Sequence, residues 1–165
     1  MAAGSTYTPI ATYTVPSAAA NYTFSSISGS YTDLVLIING GASTNADAQI
    51  QFNGDTGSNY SVTVLRGDGT TVNSTRSSAA TYWRVDSYGY LSTANSTIDI
   101  VQIMNYSNTT TYKTGLSRAN NAGAGVDATV GLWRNTAAIT SIKLFTDTGT
   151  FNTGTTFTLY GIAAA

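Results

Sequence analysis

Several residue types that carry much of protein chemistry are missing from this chain. Among its 165 residues there is no cysteine and no histidine, and all eight acidic residues are aspartate. These absences exclude disulfide bonds, thiolate or imidazole ligation of metals, cysteine nucleophiles and Ser-His-Asp triads. A pair of glutamates for glycoside hydrolysis is also excluded, which leaves only pairs of aspartates for acid–base work. We therefore expect no enzymatic activity, no cofactor and no metal site.

Charge is scarce as well. Charged residues make up 9% of the chain and the formal net charge is −1, whereas an ordinary soluble domain is roughly 25% charged. Such a chain has no basic surface with which to bind nucleic acid or an anionic membrane, so we expect neither as a partner. Low charge also favours self-association. The sequence thus predicts a surface that meets other protein surfaces, and a soluble neutral monomer is the alternative.

The residues that are abundant favour β-structure. Alternation of apolar and polar residues is visible at 48–52, 60–64 and 126–133, and the run 34–38 is apolar on both faces, as in a central strand. The alternation places four apolar residues of the 126–133 window on one face, which makes them candidates for the core. These are Val126, Ala128, Val130 and Leu132. Glycine, asparagine and aspartate between the runs predict tight turns. We predict an all-β fold, an antiparallel, jelly-roll-like β-sandwich of about eight to ten strands.

The first twenty residues are less regular than the rest. Pro9 and Pro16 bracket a stretch rich in tyrosine and threonine. We predict an N-terminal arm over residues 1–20 and a sandwich domain over residues 21–165. Two places suit the arm, which either lies on a neighbouring protein or forms an edge strand of its own sheet.

Two short motifs have a functional interpretation beside a structural one. The string FNGDTGSNY at 52–60 carries oxygen ligands around two glycines, as a calcium loop does, but a single carboxylate favours a hairpin turn. The tripeptide Arg66-Gly67-Asp68 is an adhesion motif in some extracellular ligands, yet Asp68-Gly69 is also a common turn dipeptide. We expect a turn at both places.

An aromatic cluster and a pair of acids are the remaining candidates. The cluster consists of Tyr82, Trp83, Tyr88 and Tyr90. Such rings form a protein interface, stack on sugars or pack in the core, and the first is preferred to the second. Asp86 and Asp99 lie on adjacent predicted strands. We expect them to be exposed or paired with basic residues such as Arg84, Lys113 or Arg134, because isolated surface ion pairs are common.

Three segments, in order along the chain, resemble a family of small virion proteins of tailed bacteriophages. They are TYTPIATYTVPSAAANYTFSSISGSYTDLVLII (6–38), FNGDTGSNYS (52–61) and AAITSIKLFTDTGTFNTGTTFTLYGI (137–162). The resemblance implies a virion structural protein with a β-sandwich and no catalytic residues. Proteins of this kind are found on both heads and tails, and the resemblance does not separate these locations.

One compact domain without a stem favours the head over a tail fibre. We therefore expect a capsid decoration, or cement, protein on the outer surface of the phage head. Its expected partners are the major capsid protein or other virion proteins, and copies of itself in a trimer, since capsid lattices offer threefold positions. The expected interface residues in the arm are Tyr7, Pro9, Ile10 and Tyr13, joined by the aromatic cluster. The rivals are a tail-fibre, tail-tip or collar protein that binds host carbohydrate and an aspartate-based glycan hydrolase.

Overall fold

The computed structural model describes residues 6–87, 91–94 and 96–163, and their regular structure is entirely β. The described residues contain no helix long and apolar enough to cross a membrane. The strands are β1 (Tyr7–Thr14), β2 (Asn21–Phe24), β3 (Asp33–Gly40), β4 (Ala48–Phe52), β5 (Tyr60–Gly67), β6 (Val72–Ala80), β7 (Trp83–Arg84), β8 (Thr97–Met104), β9 (Lys113–Asn121), β10 (Gly125–Trp133), β11 (Ile142–Thr146) and β12 (Thr156–Ile162).

These strands form two antiparallel sheets. The larger sheet has eight strands in the order β1-β12-β3-β8-β9-β10-β5-β6, and the smaller has four in the order β2-β11-β4-β7. The predicted all-β antiparallel sandwich is confirmed, while its jelly-roll character remains a prediction. The twelve strands in the described residues exceed the predicted eight to ten, because β7 is only two residues long and β6 and β9 lack a clear apolar alternation.

The half of the large sheet built by β12 and β3 follows the usual pattern of a sandwich. Leu34, Leu36 and Ile38 of β3 and Phe157 and Leu159 of β12 are fully buried. They belong to one hydrophobic cluster with residues of β4 and β11 in the smaller sheet. As the apolar run predicts, β3 is a central strand, between β12 and β8.

Strand β10 has the opposite orientation to the one that its apolar residues suggest. Val126 and Val130 are 55% and 51% exposed, whereas Asp127, Thr129 and Trp133 on the other face are buried. The prediction that this window turns its apolar side inward is therefore wrong. The physical reason is the position of the Trp83 ring, which lies so close to β10 that a Cβ on Gly131 would be 1.9 Å from its Cε2 atom. Only a glycine fits beneath this ring, so the odd-numbered residues of β10 must face the interior.

Residues 7–14 form an edge strand, which is one of the two places considered for the arm. Strand β1 pairs with β12 and has a register shift between Pro9 and Ala11. The chain then enters the core at Val15, which is buried. The Tyr13 ring stacks on Tyr22 of the smaller sheet, with the ring centroids 3.8 Å apart. Side-chain packing and backbone pairing thus both hold this segment to its own domain.

Candidate functional site

The predicted interface residues of the first strand differ in exposure. Tyr7 is 49% exposed, with its ring edge-on to Tyr160, and Pro9 is also exposed. Ile10 and Tyr13 are half-buried and pack against the core. Tyr7 and Pro9 are therefore the two of these four residues that are exposed enough to contact a partner.

The predicted aromatic cluster does not form one surface. Trp83 is fully buried, so it follows the core-packing alternative and contributes nothing to an interface. Tyr82 is half-buried, and its ring meets Phe145 edge-on at 6.0 Å between centroids. Tyr88 and Tyr90 lie outside the residues that the structure describes. Trp83 begins β7 and is buried, whereas Tyr82 precedes the strand and packs against Phe145.

The FNGDTGSNY string forms a turn that is hydrogen-bonded to a core residue, Trp133. The Asp55 carboxylate accepts hydrogen bonds from the Gly57 backbone N–H at 2.8 Å, from the Asn59 amide and from Trp133 Nε1 at 2.7 Å. Burial alone would raise the pKa of Asp55, but the three donors outweigh burial and lower it. The turn interpretation accounts for the carboxylate, which is used to position the Trp133 ring.

The Arg66-Gly67-Asp68 string also forms a hairpin turn. The Asp68 carboxylate accepts hydrogen bonds from the backbone N–H groups and hydroxyls of Thr70 and Thr71. Gly69 has a φ of +90°, which favours glycine. The expected turn between β5 and β6 is therefore present.

Three buried aspartates lie inside the sandwich, and we call Asp86, Asp99 and Asp127 the acidic layer. Asp99 on β8 and Asp127 on β10 flank Ala119 of β9 in register. Asp86 joins them because the next residue, Ser87, donates its backbone N–H to Asp127 at 2.8 Å. Each of the three acids is at most 1% exposed. Sequence reasoning missed this layer, although the odd-numbered spacing of Asp127 and Trp133 already placed them on one face.

The basic residues suggested as partners lie elsewhere. Arg84 contacts Asp47 at 3.5 Å, whereas Lys113 and Arg134 donate to backbone carbonyl groups. Among the described residues, neither carboxylate oxygen of Asp99 has a hydrogen-bond partner. The expectation that Asp86 and Asp99 are exposed or paired with these basic residues is therefore wrong. Both acids are fully buried, and within the described residues the three basic side chains contact other groups.

Burial favours the protonated form of two members of this layer, Asp86 and Asp99. Burial, followed by the nearby Asp127, raises the pKa of Asp99 to about 8. Burial also raises the pKa of Asp86 well above its usual range, with smaller contributions from Asp99 and Asp47. A neutral carboxyl costs far less to bury than a carboxylate. No group of acids within 6–87, 91–94 and 96–163 has the geometry to hold a metal ion.

The opposite face of the same strands carries an exposed apolar surface. We call its five residues, which are contiguous across β9, β10, β5 and β6, the apolar patch. They are Leu65, Val72, Leu116, Val126 and Val130. Each is 47% exposed or more, and Val72 reaches 77%. A shallow groove of about 230 Å³ runs between Leu65, Val72 and Val126.

Three comparisons of this chain with known proteins found no match. No protein-family model, curated protein or solved structure matches this chain. The resemblance to phage virion proteins thus has only the three sequence segments behind it.

Proposed function

We propose that this chain is a bacteriophage virion structural protein, and specifically a capsid decoration protein that binds the outside of the head. The observation that carries the proposal is the apolar patch on the outer face of the large sheet. Scattered exposed apolar residues are ordinary, but a contiguous group of five is typical of a surface that contacts another protein. On β9 and β10 the inner face is occupied by Trp83 and by Asp127 of the acidic layer, so Leu116, Val126 and Val130 face outward.

Decoration suits a surface of this kind. One copy buries a modest apolar area and binds weakly, but a lattice offers the same site many times, and linked copies gain apparent affinity. The small net charge means that closely spaced copies repel one another little. We expect trimers to form where copies occupy the threefold positions of the shell, and not in solution.

A tail-tip, tail-fibre or collar protein that binds host carbohydrate is the second candidate. It is favoured by the exposure of two tyrosines, Tyr7 at 49% and Tyr112 at 54%. Tyrosine rings offer an apolar face for a sugar and a hydroxyl for hydrogen bonding. An aspartate-based glycan hydrolase has less support, because Asp86 and Asp99 are fully buried and do not line a groove.

Co-sedimentation tests the proposal and separates these candidates. Purified protein is mixed with phage heads assembled without it and, in parallel, with host cells. We expect saturable binding to heads at a fixed ratio to the shell subunit, and weakening of about tenfold or more in Val130→Asp, which places a charge in the apolar patch. Thr12→Asp is the matched control, since Thr12 is exposed on β1 at the far edge of the same sheet. Binding to cells alone would overturn the assignment to the head.

A further inference from the structure

The two edges of the large sheet differ in how open they are. Strand β6, at one edge, runs over nine residues, eight of which are exposed, and within the described residues it pairs only with β5. It carries a single charge, Arg76. Its pairing with β5 is regular from Val72 to Ser77, and the register shifts only beyond that point. An exposed edge of this kind is a template for another strand unless charges, proline or bulges block it.

Strand β1, at the other edge, is blocked in two ways. Pro9 has no N–H to donate to an added strand, and the register shifts between Pro9 and Ala11. Both devices are typical of edges that do not pair. A β6 edge therefore has no complementary β1 edge to join, and head-to-tail growth of a filament is disfavoured.

The turn between β5 and β6 fixes which backbone groups of β6 are open. The Asp68 N–H donates to the Thr71 carbonyl at 3.2 Å, so these two residues form a hydrogen-bonded pair. Hydrogen-bonded and non-hydrogen-bonded pairs alternate along an antiparallel ladder. The N–H and C=O groups of Val72, Ser74 and Arg76 consequently point away from β5.

We infer that β6 pairs with β6 of a second copy of this chain, antiparallel and centred on Ser74. This register places Ser74 opposite Ser74 and Val72 opposite Arg76 of the other copy. Every outward N–H and C=O group of these three residues then finds a partner. The two Arg76 side chains stay about 14 Å apart, from about 3.4 Å per residue along the strand.

Side chains support the same register. The aliphatic stem of Arg76 from the other copy would cover Val72, which is the most exposed residue of the apolar patch. On the opposite face, the Asn73 amide would lie beside the Thr75 hydroxyl. A two-fold axis closes such a pair, because each β6 edge is occupied by the other and the remaining edge of each large sheet is the blocked β1 strand.

A proline substitution in β6 tests the pairing between copies without disturbing the fold of one copy. In Ser74→Pro the lost N–H points away from β5, so β5–β6 pairing is retained. Light scattering at micromolar protein concentration should give the mass of two copies for the wild type and one copy for this variant. Ser74→Ala keeps the N–H and should remain a dimer. A wild-type monomer, a particle of three copies, or a Ser74→Pro dimer would each overturn the inference.

Disulfide capture tests the register. The chain has no cysteine, so Ser74→Cys introduces a single thiol per copy. Facing residues of a hydrogen-bonded pair lie about 5.5 Å apart between Cα atoms, within the range that a disulfide spans. With oxidised glutathione as the oxidant, the variant should form a covalent dimer, while Thr12→Cys on the blocked edge should not. Equal cross-linking of the two would contradict the register. The result is independent of head binding, so either proposal can fail alone.

Discussion

The two halves of the large sheet solve the same packing problem in opposite ways. Where β12 and β3 lie, leucine, isoleucine and phenylalanine fill the interior. Where β9 and β10 lie, most interior positions hold small or polar residues. They include Lys113, Gly115, Ser117, Ala119, Asn121, Asp127, Thr129 and Gly131, beside the apolar Trp133. Leu116, Val126 and Val130 face outward. The first half has a conventional apolar core. The second half has few large apolar residues at its interior positions.

The segment from Trp83 to Ser87 explains this difference. It crosses the inner face of β9 and β10, where the Trp83 ring lies on Gly131 and the Val85 carbonyl accepts a hydrogen bond from the Ser117 hydroxyl at 2.7 Å. Small residues are needed beneath a backbone segment that approaches a sheet so closely. The apolar residues of these strands are then left outside, which is where a partner can reach them. Departures from the usual pattern are expected at functional surfaces.

The largest effect that we expect comes from filling the space beneath the Trp83 ring. Gly131→Ala places a Cβ about where the ring atoms are, and neither the fully buried ring nor a strand paired on both sides can yield easily. We expect a loss of about 3 kcal/mol or more in the free energy of unfolding, measured by urea denaturation. Gly29→Ala is the control, because its nearest neighbour would be 3.7 Å away. A small loss at Gly131 would mean that the two halves do not differ in packing as described.

The second largest effect concerns the acidic layer and pH. The pKa of Asp99 is about 8 in the folded protein and 3.8 in its reference state. The folded state therefore binds more protons between these values, and stability falls as pH rises through this window. Between pH 6 and pH 8 the loss is about 2 kcal/mol for this one group.

Asp99→Asn removes the titrating group while keeping its shape. Between pH 6 and pH 8 the free energy of unfolding, measured by urea denaturation at pH 5, 6, 7 and 8, should decline by about 2 kcal/mol less in this variant than in the wild type. The raised pKa of Asp86 leaves part of the slope in place. The charged groups near Asp99 are Asp86 and Asp127 of the layer, Asp47 with its partner Arg84 beyond Asp86, and Arg66 opposite Asp127. Asp147→Asn, at an exposed position, is the control and should retain the slope of the wild type. An equally steep slope in Asp99→Asn would contradict the assignment of the proton to the layer.

The sequence predicts the conventional half well and the other half poorly. The apolar run identifies β3 and the alternation at 48–52 identifies β4, because Leu34, Leu36 and Ile38 of β3 and Ile50 and Phe52 of β4 are large apolar residues that are buried. Periodicity assigns the wrong face of β10 to the core, because Val126 and Val130 are its most apolar alternating residues. The need for a glycine at position 131 becomes clear only when the position of the Trp83 ring is known. Strand β6 has no apolar alternation at all, since both of its faces are exposed. The acidic layer is equally hidden, because it depends on which residues meet across three strands.

The smallest effect is expected on the outer face, and its size sharpens the comparison. Val130→Thr exchanges a methyl group for a hydroxyl on a side chain that is 51% exposed, so its free energy of unfolding should change by no more than about 0.5 kcal/mol. Val101→Thr makes the same exchange at a fully buried position of β8 and should cost about 1 to 3 kcal/mol, since the hydroxyl is buried without an assured partner. Urea denaturation of both variants at low protein concentration gives the two values. Equal losses would mean that the outer face of the isolated chain is covered, and the apolar patch could not then serve as a free docking surface.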